Sequence, residues 1–401
     1  MTNTCAAKKR KLSPSVETGV VEAANSSSIM INDSAAKDDF CPTSSSNGPF
    51  IDDIILEILQ FLESLFIVQI CMKISKQWRQ VSFQIPLSIS FQPKHFKCDS
   101  KPIKLFLANC ECLKNLTCLN LGHNEISSED VKHISTSECL KNLTSLDLSD
   151  NHIDSEGVKY IATSEWLKNL TYLNLVGNEI DNEGVKYIAM SDCLKNLTSL
   201  DLYGNEIDNE GVKYISTSEC LKNLTSLDLN DNHIGSKGVK HMATSEWMKN
   251  LTSLDLGYNH IGSEGAKYIA ESECLKNLTS LNLVGNEIGS KGVKHIATSE
   301  WMKNLTSLDL VGNEIDNEGA KYIAMSERLQ NLTSLDLSDN EIGSEGAKYI
   351  AESEWLKNLT SLNLRYNHID IEGAKYIATS EWLKKVTSLD LTCNQIDNDG
   401  N

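Results

Sequence analysis

No run of apolar residues in this chain approaches the ~20 needed to cross a bilayer as a helix. The N-terminal stretch is charged and polar and lacks the apolar core of a secretory signal. The twelve cysteines lack the paired spacing of a zinc site, Cys110, Cys112 and Cys118 included. Without a secretory signal they read as reduced thiols of a nuclear or cytoplasmic protein. There is no glycine-rich phosphate loop, because the glycines follow a fixed long interval instead. The histidines are scattered: His152, His233, His260 and His368 share one position, and His133, His241 and His295 another. Neither set meets a serine or cysteine nucleophile in a catalytic pattern. Enzyme chemistry, a metal and an organic cofactor are therefore not expected.

Positive charge is the other shortage. The net charge is −18. Residues 1–48 are balanced, and from residue 113 onward 44 acidic residues face 25 basic ones. A surface this acidic repels a phosphate backbone, which argues against nucleic acid as a partner. A membrane is equally unexpected.

What is present is repetition. Eleven asparagines stand 27 residues apart, from Asn124 to Asn394, each in the frame leucine-x-x-leucine-x-leucine-x-x-asparagine-x-isoleucine. Leu143, Leu146, Leu148, Asn151 and Ile153 are one copy. Leu146 and Leu148 alternate with polar residues, the period of a half-buried strand. The Asn151 amide is placed to bond the backbone of neighbouring turns. Ser155 is a candidate helix cap, and Glu156 suits the first helical turn. Gly157 allows helix and neighbour to approach closely, and Val158, Ile161, Ala162 and Leu167 form an apolar helical face. Cys112, Cys139, Cys193, Cys220 and Cys274 share a position with five tryptophans, Trp166 among them, so that position is for packing. Ten asparagine-leucine-threonine triplets match the glycosylation sequon, but their leucine is a core residue, so they read as structural.

One strand and one helix per copy predict a parallel sheet lined by helices. Helices are wider than strands, so the stack must curve. This resembles the leucine-rich repeat family, and the glycine-(valine/alanine)-lysine-tyrosine-isoleucine-alanine segment resembles its ribonuclease-inhibitor-like and glycine-alanine subclasses. The resemblance implies an α/β solenoid: a curved horseshoe with a parallel concave sheet and convex helices. Residues 116–401 form the array of eleven copies, the last incomplete. Residues 87–115 read as a degenerate capping repeat whose strand is Leu87 to Phe91.

Two segments precede the array. Residues 1–48 are poor in large apolar residues and are expected to stay disordered. Within them Lys8, Lys9, Arg10 and Lys11 suit the acidic groove of a nuclear import receptor. Residues 49–86 form a helical module in which Ile51, Ile54, Ile55, Ile58, Leu59 and Leu62 recur at helical spacing. Asp53, Ile54, Leu56, Ile58, Leu59, Phe61 and Leu62, then Ile74, Ser75, Lys76, Trp78 and Arg79, resemble an F-box. Ile51 and Ser64 stand where that family has prolines. The resemblance implies a Skp-type adaptor and a cullin complex as partners, with Ile54, Leu56, Ile58, Leu59 and Leu62 as adaptor contacts and Trp78 packing the module. The bland reading is a helical cap over the end of the array.

Binding positions are sought where copies differ or where the concave strands carry charge. Between the last two leucines stand Asp147, Asp201, Asp228, Asp255, Asp309, Asp336 and Asp390, with Asn120, Asn174, Asn282 and Asn363 in the other copies. Such a column either invites a basic protein target or simply keeps an exposed sheet soluble. Tyr172 replaces a serine, and Tyr203, Tyr258, Arg365 and Tyr366 occupy variable positions just before the asparagine. Tyrosine and arginine are frequent interface anchors. The expected function is a non-catalytic protein-binding scaffold, specifically the substrate receptor of a Skp–cullin–F-box ubiquitin ligase. The alternatives are a Ran-type GTPase regulator, since convex-helix repeats also resemble Ran GTPase-activating protein, and a plain scaffold with a helical cap.

Overall fold

The computed structural model describes residues 52–60, 74–82, 84–91 and 113–396, together with Leu62, Ile67 and Leu107. The N-terminal tail with its import run Lys8, Lys9, Arg10 and Lys11 lies outside these residues. So does most of the apolar run from Leu65 to Ile74.

Among the described residues two short helices come first, α1 (Asp52–Gln60) and α2 (Lys76–Ser82), then strand β1 (Leu87–Ser90). The array follows as β2 (Leu116–Asn120), α3 (Ser128–Ser135), β3 (Ser145–Asp147), α4 (Ser155–Ala162), β4 (Tyr172–Asn174), α5 (Asn182–Ala189), β5 (Ser199–Asp201) and α6 (Asn209–Ser216). It continues through β6 (Ser226–Asp228), α7 (Ser236–Ala243), β7 (Ser253–Asp255), α8 (Gly262–Glu271), β8 (Ser280–Asn282), α9 (Gly289–Thr298), β9 (Ser307–Asp309) and α10 (Asn317–Ala324). It closes with β10 (Ser334–Asp336), α11 (Ser344–Ala351), β11 (Ser361–Asn363), α12 (Ile371–Ala378) and β12 (Ser388–Asp390). The strands form one parallel sheet in chain order. Its register advances by one copy per strand, Leu146 opposite Leu173 and Leu173 opposite Leu200. β1 joins the same sheet beside β2, with an irregularity between Leu87 and Ser88. A strand therefore stands at Leu87–Ser90, within the stretch expected to form one, while most of residues 92–112 lie outside the described residues.

One continuous core runs from Ile55 and Leu59 in α1 to Leu383 near β12. In most copies the leucines of the strand and the Val/Ala, Ile pair of the helix meet inside it, as Leu146, Leu148, Val158 and Ile161 do, with Met242 in place of the isoleucine in one. Strands repeat at ~4.8 Å and helices are ~10 Å wide, so the sheet takes the inner, concave side.

The asparagines hold copy to copy. Asn205 Nδ2 donates to Leu175 O, Leu202 O and Tyr203 O, and its Oδ1 accepts from Ile180 N at 3.1 Å. The Ile180 N–H would otherwise be buried without a partner, at about 1–3 kcal/mol, while each carbonyl has a second donor, Asn178 Nδ2, Asn232 Nδ2 and Gly177 N in turn. This is the role expected of the ladder asparagine.

The helix cap differs from expectation. Asp154, not Ser155, is the N-cap of α4, and its Oδ1 accepts from Glu156 N at 3.0 Å and Gly157 N at 3.1 Å. Ser155 turns outward and donates to Asp181, the N-cap of the next copy. Gly157 meets its neighbour as expected: a Cβ there would lie 2.6 Å from Ser128 Oγ and 2.7 Å from Ile153 Cγ2.

Candidate interaction surface

Strand alternation puts Ser145 and Asp147 on the concave side, either side of the buried Leu146. The Asp/Asn column is thus brought together as expected, one member per strand, in direct register from Asn120 to Asp390. It also has a local task that the sequence reading missed. Each side chain accepts the N–H two residues on, closing the strand with a turn: Asp147 from Ser149, Asp201 from Tyr203, Asp228 from Asn230. Asparagine does the same, Asn174 accepting from Val176. The signal was legible, since aspartate and asparagine are the two residues that form this turn.

Charge along the column is uneven. Asn120, Asn282 and Asn363 each donate to a neighbouring carboxylate, Asp147, Asp255 and Asp336, at 2.7–3.0 Å. Asp201, Asp228 and Asp255 form the one run of three aspartates in adjacent strands, with Asp228 in the middle. Burial, then the Asp255 carboxylate, pushes the Asp228 carboxyl up to about 7. Asp309 is raised to about 6, by burial first and by Asp336 beside it. Asp201 and Asp255 are raised by burial as well.

The aromatic set lies on the same side. Tyr203 and Tyr258 are 41% and 52% exposed. Tyr366 is exposed too and carries the Arg365 guanidinium 4.6 Å above its ring. Tyr172 is half-buried in β4 between Asp147 and Asp201, and burial raises its phenol. Tyr258 and Tyr366 adopt φ of 47° and 52°, the left-handed region where other copies place Gly177, Gly204, Gly285 and Gly312. A bulky residue there costs about 1–2 kcal/mol. The Tyr258 ring rests on Gly285, where an added Cβ would lie 2.9 Å from ring carbon Cδ1.

The helical module distributes its apolar residues over two faces. Ile55 and Leu59 are buried, and Leu56, Leu62 and Trp78 pack half-buried against the core. Ile54 and Ile58, one helical turn apart, are 45% and 42% exposed. Ile74 is exposed just before α2, whose Gln77 donates to Asp52 of α1 at 2.7 Å. Of the five candidate adaptor contacts, Leu59 is therefore a packing residue, and Ile54 and Ile58 form the open face.

The sequons are occupied by the fold. Asn142 Nδ2 donates to Lys114 O at 2.7 Å, Thr144 Oγ1 to Thr117 O at 3.0 Å, and later copies repeat both bonds. Among the described residues no group of three His, Cys, Asp or Glu side chains is placed to hold a metal, and no helix is long and apolar enough to cross a membrane.

A strand, an asparagine turn and a convex helix per 27 residues, stacked through one core, define a repeat scaffold that binds proteins. The Leucine Rich repeat family model matches eleven segments of this chain, from residues 112–135 to 383–400, together more than half its length. The chain belongs to the leucine-rich repeat family. It is similar to an internalin (inlF) from Listeria monocytogenes at 21% identity, covering 82% of this chain and 94% of that one with a TM-score of 0.48. It is also similar to TLR13, solved as a complex with ssRNA13, at 22% identity over 72% of this chain and 38% of that one, TM-score 0.45. A third is the ectodomain of the plant membrane receptor kinase GASSHO1/SCHENGEN3 from Arabidopsis thaliana, 19% identical over 72% of this chain and 37% of that one, TM-score 0.38. No curated protein matches the sequence.

Proposed function

We propose that this leucine-rich repeat scaffold is the substrate-recognition subunit of a Skp–cullin–F-box ubiquitin ligase. In this reading α1 and α2 dock a Skp-type adaptor, and the concave face holds the protein to be modified. The protein itself does no chemistry; it raises the effective concentration of a target beside a transferring enzyme. The observation that supports docking is the pair Ile54 and Ile58. A short helix that already buries Ile55 and Leu59 leaves two further isoleucines open to solvent, one turn apart, with Ile74 exposed before the helix it bonds to. Exposed apolar residues gathered in this way mark a contact surface.

The test is co-precipitation of the intact protein with a Skp–cullin complex. Ile54→Lys with Ile58→Lys removes binding while the melting curve stays as in the wild type, because neither side chain belongs to the core. Leu59→Lys is unsuitable, since it would place a charge inside the core. Failure of the intact protein to bind, with a known F-box protein binding in parallel, returns the module to a cap over the first strand.

A further inference from the structure

The chain has eleven tyrosines, and most of their rings are already matched with a cation of the chain itself. Along the convex helices seven lysines, from Lys132 above Tyr160 to Lys348 above Tyr376, stand 5.2–5.8 Å from the ring centroid of the next copy's tyrosine. On the concave side Arg365 covers Tyr366. Three tyrosines remain, Tyr172, Tyr203 and Tyr258, and among the described residues no cation stands over them. All three lie on the stretch from β4 to β7, next to the run Asp201, Asp228 and Asp255.

Tyr172 and Tyr203 have carboxylates for charged neighbours, Asp147 and Asp201 beside the first. Burial first, then Asp231, the Tyr258 phenol, Asp150 and Asp228, raise the Tyr203 phenol. Tyr258 is held in the left-handed conformation against Gly285; the same position is glycine in four copies and a left-handed His123, Asp150, Asp231, Asp339, Tyr366 or Cys393 in the other six. Tyr203 and Tyr258 belong to copies two strands apart, about 9.6 Å at the usual strand spacing, and their phenols are close enough to interact electrostatically. The copy between them carries Asp228 in its strand and Asp231, at φ 51°, in its turn.

We propose that Tyr203 and Tyr258, with Asp228 and Asp231 between them, form a clamp for the cationic side chains of a basic, extended segment of a partner protein, arginine above all. The clamp rests on the reading of the concave face as the target-binding face and names the chemistry that face selects. Arginine fits better than lysine because its planar guanidinium stacks on a ring while its N–H fork bonds a carboxylate. The chain makes the stacking half of that contact internally, with Arg365 on Tyr366. The chain's net charge of −18 favours the same partner and disfavours an anionic one.

The test uses the full chain and a short, labelled peptide of alternating arginine and serine, with its citrulline counterpart as the neutral isostere. The arginine peptide binds, and the citrulline peptide binds at least about tenfold more weakly. Tyr203→Ala with Tyr258→Ala loses about tenfold or more, while Tyr366→Ala stays within about twofold. If the paired variant does not melt as the wild type does, Asp231→Asn serves instead, since asparagine tolerates the left-handed turn; weaker arginine binding is again expected. Equal binding of the citrulline peptide, unchanged binding by these variants, or no arginine binding overturns the clamp. Co-precipitation of the adaptor with the same preparation is read separately. Adaptor binding without arginine selectivity sinks the clamp alone, and arginine selectivity without adaptor binding sinks the ligase reading alone.

Discussion

Asp228→Asn should make this protein more stable at neutral and alkaline pH. Asp228 sits between Asp201 and Asp255 in strand register, and its carboxyl is pushed from 3.8 up to about 7. A raised carboxyl means that the folded chain keeps the proton after the unfolded chain has lost it. Stability then falls as pH rises from about 4 to about 7, and the full penalty is present above that. At about 1.36 kcal/mol per pH unit the ceiling is about 4 kcal/mol. A floor comes from the two neighbours: unit charges at strand spacing repel by about 0.9 kcal/mol each even in bulk water. The expected gain is therefore about 2–4 kcal/mol at pH 8, shrinking to near zero at pH 4. The turn survives, because the asparagine Oδ1 accepts the Asn230 N–H as Asn174 accepts that of Val176. The assay is urea unfolding of both proteins at several pH values, compared by midpoint at constant slope. A gain independent of pH, or a loss at pH 8, would refute the reasoning.

Further expectations follow from single contacts. Asn205→Ala leaves the buried Ile180 N–H without its acceptor and takes one of two donors from Leu175 O, Leu202 O and Tyr203 O, so urea unfolding should show a loss of about 1–3 kcal/mol. Asp154→Ala removes the cap of α4 and should cost about 1 kcal/mol. The Ser128 hydroxyl and the cap's backbone donors hold the Asp154 carboxyl below its usual value. Its contribution is therefore present above pH 4 and lost as pH falls through the lowered value, so the two proteins should converge in acid. Gly292→Ala sets a methyl 2.2 Å from Ile288 Cγ2 and 3.1 Å from Ala266 Cβ, and should cost about 1–3 kcal/mol by the same measurement.

Most of the array was legible because its information is periodic. A leucine that recurs at 27-residue intervals beside an asparagine needs no partner search; the partner is the same residue in the next copy. What escaped was decided across copies or around a helix. Asp154 and Ser155 are both good capping residues, and the choice between them depends on Ser155 finding Asp181, 26 residues away. In α1 the run Ile54, Ile55, Leu56, Ile58 and Leu59 is apolar around much of its circumference, so its pattern does not say which isoleucines face out. Packing against the core made Ile55 and Leu59 the inner pair. The period of two puts the aspartate column on the concave strands, and its turn-closing bond is legible only in the neutral Asn that shares the position, since Asp and Asn have that turn in common and not the charge. The single copies that deviate, Tyr203 and Tyr258, were picked out by their difference alone. With Tyr172 they are the described tyrosines over which no cation stands, a property of the packed copies that a single copy's sequence does not carry.

The asparagine ladder gives each bond an address by distance rather than by identity. Ile126 N finds Asn151, Ile153 N finds Asn178 and Ile180 N finds Asn205, always 25 residues ahead. Excising or inserting one whole unit between two such asparagines would hand every severed bond a chemically identical partner, while a change of any other length would strand buried donors on both sides. The backbone is thus indifferent to the number of its units. The concave side is not: one unit more or less between Asn205 and Asn259 would part Tyr203 from Tyr258 by a different number of strands. Length change in this chain would edit recognition while leaving the architecture that carries it untouched.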